Sequence, residues 1–279
     1  MSRVRSRRLG THVTLIALVA LWIIPVLGLL ISSFRRSQDV SGSGWWTALR
    51  PSRAFTLANY RQVFDARGLS TSFINSLTIT VPATIIGVGI GSVTGFVFAR
   101  MTFRWREVAF AVVLGLLTLP LQMTLAPVLR LFRDLGMIGT FPAIWIAHLG
   151  FGLPFIVFVM RNYFASLPKE IFEAAEIDGS THFTSFVYLA LPVAVPALAA
   201  VSIFQFMFVW NDLLIALIFL GGTTDVAPLT VTVSNLVGSR GEGWEVLTAA
   251  AFVHMAIPLT IFFALQRYFI RGLLAGTTK

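Results

Sequence analysis

The chain alternates between long stretches without charged side chains and short charged connections. Six runs lack Asp, Glu, Lys and Arg, and they cover residues 9–34, 68–99, 108–129, 135–160, 179–211 and 246–266. Each run meets the roughly 20 residues that an α-helix needs to cross the hydrocarbon core of a bilayer. None shows the strict alternation of a lumen-facing strand, and helices satisfy their own backbone hydrogen bonds in lipid. The pattern therefore predicts an all-α membrane protein with six transmembrane helices.

Composition agrees with a membrane protein. Of the 279 residues, 56% are hydrophobic and only 12% are charged, against roughly 25% charged residues in an ordinary soluble domain. The net charge of +9 does not indicate nucleic-acid binding, because the basic residues lie mainly at the predicted helix ends and not along one face. The absence of cysteine excludes disulfides, thiolate metal sites and cysteine catalysis.

The amino-terminal residues predict the orientation of the chain. Four arginines within the first eight residues precede the first apolar run, and positive charge marks the cytoplasmic side of a membrane. The apolar stretch over 13–34 is longer than the core of a cleaved signal and ends without a small-residue cleavage site. It is therefore expected to remain as the first helix, and six spans place both termini in the cytoplasm.

This topology divides the chain into three parts. Residues 1–70 are expected to form a cytoplasmic tail, the first helix and an extracytoplasmic loop. Residues 71–266 are expected to form a transmembrane domain of helices two to six. Residues 267–279 are expected to form a cytoplasmic carboxyl-terminal tail.

Three glycines recur at intervals of four residues in the second predicted helix. Gly87, Gly91 and Gly95 leave one face without side chains, so another helix can approach closely. The sequence predicts a packing face there. Its partner is either another helix of this chain or a second membrane subunit.

Asp212 is the only charged residue between Gly179 and Asp225. In a fifth helix running from about Leu191 to Leu220, it would lie in the outer half, where a carboxylate is costly unless it is paired or faces water. It is therefore either a structural carboxylate bonded across helices or a group that lines a pathway. Asn211 and Gln205 extend the same polar stripe.

Several prolines fall within or at the ends of the apolar runs. Proline removes an internal hydrogen bond, and transporters use such openings for kinks around a pathway. Pro120, Pro127 and Pro154 are flanked by the polar or small residues Gln122, Thr124 and Gly152. Several of the prolines can instead simply mark helix ends, and these three are the better candidates for functional breaks.

A charged segment, Glu173-Ala-Ala-Glu-Ile-Asp-Gly179, separates two of the longest uncharged runs and must lie in water. Pro168 can start a helix, and Glu170 and Glu173 then favour its amino-terminal end. Gly179 is a natural left-handed stop, and a second helix is expected from about Ser180 to Leu191-Pro192. The composition predicts a docking surface for a soluble partner.

The sequence offers no catalytic constellation. It contains no Gly-Lys dipeptide and hence no phosphate-binding loop of the GxxxxGK[ST] type, and no GxSxG motif. The four histidines, His12, His148, His182 and His254, lack metal-ligand spacing. We therefore expect no enzymatic activity and no cofactor in this chain, and any nucleotide must be hydrolysed elsewhere.

The charged segment, continued by Leu191-Pro-Val-Ala-Val-Pro196, resembles the EAA coupling motif of permease subunits of type I ABC importers. The maltose-type second permeases of the carbohydrate-uptake branch are similar at further segments: Phe55-Thr-Leu-Ala-Asn-Tyr60, Asn75-Ser76, Phe98-Ala-Arg100, Leu153-Pro-Phe155, Trp210-Asn-Asp212 and Gln266-Arg-Tyr-Phe-Ile-Arg-Gly272. The segments at 233–240 and 271–276 most resemble those of alpha-glucoside permeases.

The resemblance implies a mechanism and a set of partners. A homologous second permease, two ATP-binding subunits that hold ATP and Mg, and an extracytoplasmic sugar-binding protein would assemble with this chain in the cytoplasmic membrane of a prokaryote. Glu173, Ala174, Ala175, Asp178 and Gly179 would form a coupling helix between helices four and five, docked on one ATPase. Uptake of a sugar, an oligosaccharide or alpha-glucoside, is the implied function.

Two alternatives stay open at this point. A secondary transporter driven by an ion gradient would usually carry intramembrane carboxylates or histidines for ion coupling, and here Asp212 is nearly alone. An ABC importer for a non-sugar solute, such as a polyol or a phosphodiester, is the second, because sugar sites leave no sequence motif.

Overall fold

A computed structural model describes residues 2–49, 55–65, 68–221, 223, 225–236 and 243–275. Every regular element among these residues is helical, so the all-α prediction is confirmed. The α-helices are α1 Ser2–Ser33, α2 Ser37–Gly42, α3 Ala58–Asp65, α4 Leu69–Arg100, α5 Arg106–Leu117, α6 Leu121–Asp134, α7 Phe141–Ser166, α8 Lys169–Ile177, α9 His182–Ser185, α10 Leu191–Val193, α11 Val195–Trp210, α12 Leu214–Leu220, α13 Leu229–Ser234 and α14 Trp244–Ala275. A 3-10 turn covers Trp45–Leu49, and a π-helical segment joins α9 to α10 over Phe186–Ala190.

Among the described residues, four helices are long and apolar enough to cross a membrane, namely Gly10–Ser33, Leu69–Arg100, Phe141–Ser166 and Trp244–Ala264. Two further candidates are bent pairs. The helices α5 and α6 meet at 103°, and the stretch His182–Val193 meets α11 at 80°. The count reaches six if each pair is one span, but the third and fifth spans are not the straight helices that the uncharged runs suggested. The last helix also continues beyond residue 266, to Ala275.

Only one of the three predicted prolines, Pro120, lies at a helix break. Pro120 precedes α6 with an extended backbone (φ −63°, ψ 124°). Pro127 and Pro154 lie inside continuous helices, so the prediction of breaks at these two positions is wrong. The second bend falls at Ala194, between Pro192 and Pro196, where two nearby residues lack an amide hydrogen to continue the ladder.

The chain divides into two compact units, 1–70 with 232–256 and 71–231 with 257–279. In the first unit, side chains fasten the connection after α1. Arg35 is buried and donates to the carbonyl oxygens of Asp39 and Ser43, and Asn59 donates to those of Ser33 and Arg35 at 2.8 Å each. These hydrogen bonds attach the residues that follow α1 to its carboxyl-terminal end.

In the second unit, α4 and α7 pack side by side and run in the same direction. Near their amino-terminal ends, the indole of Trp145 donates to the carbonyl oxygen of Thr78 at 2.9 Å. Near their carboxyl-terminal ends, Arg100 donates to the carbonyl oxygen of Phe164 at 2.6 Å. Because the amino-terminal parts of the two helices contact each other and so do their carboxyl-terminal ends, α4 and α7 are parallel.

Two large apolar clusters in the described part of the chain lie in the core of this unit. One lies between α4, α6, α7 and α12 and includes the fully buried Ile144, Ile215 and Phe219. The other lies where α4, α7 and α8 meet and includes Phe96, Phe164, Phe172, Phe186 and Met160. The second cluster positions the charged segment described next.

Candidate coupling helix and buried polar residues

The charged segment forms a short amphipathic helix. Pro168 directly precedes α8 with an extended backbone, and the helix begins at Lys169 with Glu170 in its first turn. A carboxylate at this end is favourable because it faces the positive end of the helix dipole. Phe172 is the buried residue of α8, whereas Glu173 and Glu176 are exposed. The helix therefore has one face anchored in the second cluster and another open.

Glycine closes this helix in the way that its sequence predicts. Gly179 has φ +84°, in the left-handed region that side chains disfavour. The Gly179 amide donates to the Glu176 carbonyl at 3.0 Å, and the Ser180 amide donates to the Ala175 carbonyl at 2.8 Å. These two bonds form a Schellman motif and satisfy carbonyls that would otherwise lack a partner.

The next helix begins at His182, two residues after the predicted start at Ser180. The hydroxyl of Thr181 caps it by accepting from the Thr184 amide at 3.2 Å, as short hydroxyl side chains do at helix starts. At the far end, the Tyr163 hydroxyl donates to the Val193 carbonyl at 2.8 Å. The connection after α8 is thus fixed at both of its ends.

The predicted coupling residues lie together on this helix and its stop. Glu173, Ala174, Asp178 and Gly179 are exposed and Ala175 is half-buried. Large apolar side chains stand beside them, with Ile177 87% and Phe183 75% exposed. We call these seven residues the α8 surface. It combines carboxylates, small residues and uncovered apolar groups, which suits a protein partner better than bulk water.

The glycine face lies against α7. A Cβ on Gly95 would stand 2.8 Å from both the Arg161 amide nitrogen and the Met160 Cβ, and one on Gly87 would stand 3.3 Å from Leu149. On Gly91 it would overlap the Ile156 side chain. Of the two kinds of partner predicted for this face, the structure shows the first: the glycines pack against α7, a helix of the same chain.

Asp212 occupies a break between two helices. The predicted fifth helix from Leu191 to Leu220 is interrupted, because α11 ends at Trp210 and α12 begins at Leu214. The Asp212 carboxylate accepts from the amides of Ile215 at 3.2 Å and Ala216 at 2.9 Å, and its carbonyl oxygen accepts from the Thr230 hydroxyl at 2.7 Å. The side chain therefore satisfies the first amides of α12.

Two buried polar groups near this break lack full partners. His148 is 1% exposed, and neither ring nitrogen has a hydrogen bond among the described residues. Gln205 is equally buried, its Nε2 is unbonded, and it fills the space that a side chain on Gly152 would need. Asn211, by contrast, is exposed and donates to the Met207 carbonyl at 2.9 Å. Asn211 is thus more exposed than Gln205 and Asp212, the other members of the predicted stripe.

The sequence interpretation passed over His148, treating it as one of four dispersed histidines. No signal in the sequence distinguishes His148, since each of the four histidines is the only one in its uncharged run. Among the described residues, no group of three or more His, Cys, Asp or Glu side chains could hold a metal ion.

An apolar cavity of about 390 Å³ opens between α6 and α7. Its lining includes Leu121, Phe132, Phe151 and Phe208. The hydroxyl of Thr124, which also lines it, already donates to the Leu121 carbonyl at 2.8 Å. The cavity therefore offers almost nothing that a sugar hydroxyl could bond.

Comparison with known proteins shows which family and which relatives this chain is similar to. Residues 87–274 match the family described as "Binding-protein-dependent transport system inner membrane component". The osmoprotective compounds uptake permease protein GgtD of Synechocystis is 48% identical over 98% of this chain and 93% of its own length. The alpha-glucoside transport system permease protein AglG of Rhizobium meliloti is 38% identical over 97% of each chain.

A solved structure has the same fold. A chain of a bacterial ABC transporter that imports the acidic polysaccharide alginate superposes with a TM-score of 0.78 and 22% identity, covering 95% of this chain and 98% of that one. The segments at 233–240 and 271–276, which the sequence resemblance also used, lie partly outside the described residues. The chain belongs to the family of binding-protein-dependent transport system inner membrane components, and it is a permease of the ABC importer type.

Proposed function

We propose that this permease imports an oligosaccharide or alpha-glucoside across the cytoplasmic membrane, driven by ATP that separate subunits hydrolyse. The α8 surface is the observation that carries the proposed coupling to the ATPase. It is exposed, and it lies on a helix that ends at Gly179 and is anchored through Phe172. The similarity to AglG supports the substrate class, since that relative is an alpha-glucoside permease by name.

The geometry of α8 supports a mechanical role. Its carboxyl end is fixed by the Schellman bonds, and its buried ring packs into an aromatic cluster. Close-packed interiors transmit a displacement instead of absorbing it. When two ATPase subunits close on ATP and Mg, the subunit docked on the α8 surface would push this helix, and the attached helices would move with it.

The partners follow from this mechanism and from the family. The family description names dependence on a binding protein, so an extracytoplasmic sugar-binding protein would deliver the solute. A homologous second permease would complete the path, because the cavity between α6 and α7 offers a sugar almost no hydrogen-bonding group among the described residues. Both termini of this chain would then lie in the cytoplasm of a prokaryote.

Reconstitution of the complete complex tests the proposal. Proteoliposomes that contain both permeases and the ATPase should accumulate an alpha-glucoside only when ATP and the loaded binding protein are present. Glu173→Lys should abolish accumulation, because it reverses charge on the α8 surface. Asp134→Lys reverses an exposed charge on α6 and should leave accumulation unchanged. Equal accumulation by Glu173→Lys and wild type would contradict the docking role of α8.

The same vesicles separate the alternatives. Uptake that persists without ATP but follows an imposed ion gradient would identify a secondary transporter. ATP-dependent uptake of a polyol or a phosphodiester, with no uptake of glucosides, would keep the importer and reject the proposed substrate. A ligand screen on the purified binding protein identifies the solute directly.

A further inference from the structure

Arg100 lies where α4, α7 and α8 meet. Its Nη2 donates to the carbonyl oxygens of Phe164 and Leu167, each at 2.6 Å. The central guanidinium carbon stands 4.2 Å from the centre of the Phe172 ring. Phe164 lies in the last turn of α7, Leu167 follows that helix, and Phe172 belongs to α8. One side chain from the end of α4 therefore contacts the other two helices.

These contacts are of a strong kind. The last carbonyl groups of a helix have no partner within the helix and carry partial negative charge. A guanidinium that donates to them forms charge-assisted bonds, which are about twice as strong as neutral ones. Arg100 is also partly shielded from solvent, and a cation over an aromatic face gains strength when it is desolvated.

The ring of Phe172 joins a group of aromatic side chains through Phe96. Its centre lies 6.1 Å from that of Phe96 on α4. Phe96 in turn lies 5.6 Å from Phe164 on α7 and 5.2 Å from Phe186 in the helix after α8. Phe172 on α8 is thus in contact with two side chains of α4, namely the Phe96 ring and the Arg100 guanidinium.

We propose that Arg100 is a positioning residue for transport, which clamps α8 through Phe172 to the ends of α4 and α7. A partner that displaces α8 would then move α4 and α7 with it. The inference rests on the proposed role of α8 as the coupling helix. Without the clamp, α8 would still dock but would shift against the helices that it should drive.

The neighbouring Arg104 supplies a matched control. It lies four residues away, is exposed, and its guanidinium carbon stands 5.3 Å from the ring of the adjacent Trp105. Arg104→Gln removes the same charge as Arg100→Gln from the same end of α4. Phe172→Tyr and Phe172→Leu form a second pair, because only the first keeps an aromatic face for the cation.

A distance measurement tests the clamp without reference to transport. The chain contains no cysteine, so spin labels can be placed at Thr102→Cys, after α4, and Glu170→Cys, on α8, within the assembled complex. We expect the distance distribution between the labels to broaden in Arg100→Gln and Phe172→Leu. It should keep the wild-type width in Arg104→Gln and Phe172→Tyr. A wild-type width in Arg100→Gln and Phe172→Leu would overturn the inference.

Activity gives the second readout. In vesicles, the Arg100→Gln complex should retain its ATPase subunits and hydrolyse ATP. It should move roughly tenfold less solute per ATP, because the free energy of a hydrogen bond to a charged group corresponds to at least a tenfold change in an equilibrium constant. Arg100→Lys should recover part of this ratio, since it keeps the cation. If wild type shows no ATP-driven uptake, the proposed function fails. If wild type transports and Arg100→Gln matches Arg104→Gln in solute per ATP, only the clamp fails.

Discussion

The imidazole Nε2 of His148 lies 3.8 Å from the Oδ2 of Asp212, and both side chains are largely buried. The distance is too long for a hydrogen bond, and the carboxylate is already engaged by two amides of α12. Asp212 therefore acts first on the start of its own helix. The imidazole beside it has no hydrogen bond among the described residues and packs edge-on against the ring of Phe208.

Substitution of Asp212 should separate the structural role from a pathway role. Asp212→Ala leaves the amides of Ile215 and Ala216 without their acceptor and should destabilise the protein by about 1 kcal/mol, as loss of a capping side chain does. Asp212→Asn keeps one acceptor oxygen and should cost less. Heating purified variants in detergent and measuring the monodisperse fraction gives the order. Normal stability of Asp212→Asn with complete loss of transport would favour the pathway role.

The glycine face predicts opposite effects for two substitutions on α4. Gly95→Ala should destabilise the protein by about 1–3 kcal/mol, because the new Cβ would crowd the backbone of Arg161. Gly89→Ala has nothing within 4 Å of the new carbon and should be neutral or stabilise by up to about 1 kcal/mol through helix propensity. Thermal unfolding in one detergent compares the two. Equal stability of both variants would contradict the close packing of α4 on α7.

Gly152 and Gln205 should behave as a coupled pair. A Cβ on Gly152 would stand 2.8 Å from the Gln205 Nε2, so Gly152→Ala should be destabilising and Gln205→Ala should relieve the crowding. The double variant should be more stable than Gly152→Ala alone. A double-mutant cycle of thermal stability measures the coupling, and strictly additive effects would show that the two residues do not meet.

Gly179→Pro should uncouple ATP hydrolysis from uptake while the protein stays in the membrane. Proline fixes φ near −65° where the chain needs +84°, and it removes the amide that bonds to Glu176. Gly136→Pro makes the same change at the stop of α6, where φ is +67° and the amide bonds to Arg133. Only the first variant should lose solute transport per ATP. Normal uptake by Gly179→Pro would reject the coupling assignment.

The local features of α8 could be predicted from sequence because each depends on adjacent residues. Pro168 limits where the helix begins, and Gly179 supplies the left-handed stop. The bends were not predictable in the same way. The proline pattern predicted the break at Pro120, but it also predicted breaks at Pro127 and Pro154, which lie inside continuous helices, and it did not predict the bend at Ala194.

Contacts between distant residues were beyond the sequence for a related reason. The spacing of Gly87, Gly91 and Gly95 indicates a close approach but cannot select α7 as the neighbour. The break after Trp210 turned Asp212 from a residue within a helix into the cap of the next one. Arg100 looked like one of several basic residues at a helix end, because its partners Phe164 and Leu167 are more than sixty residues away.

The parallel packing of α4 and α7 requires an odd number of membrane crossings between them when both helices span the bilayer. Two parallel helices that both span a membrane end on the same side, so the chain must travel back across before α7 begins. The stretch from α5 to α6 therefore counts as one crossing despite its 103° bend. Because the count between them is odd whatever the path, the turn after Arg100 and the α8 surface share one aqueous compartment.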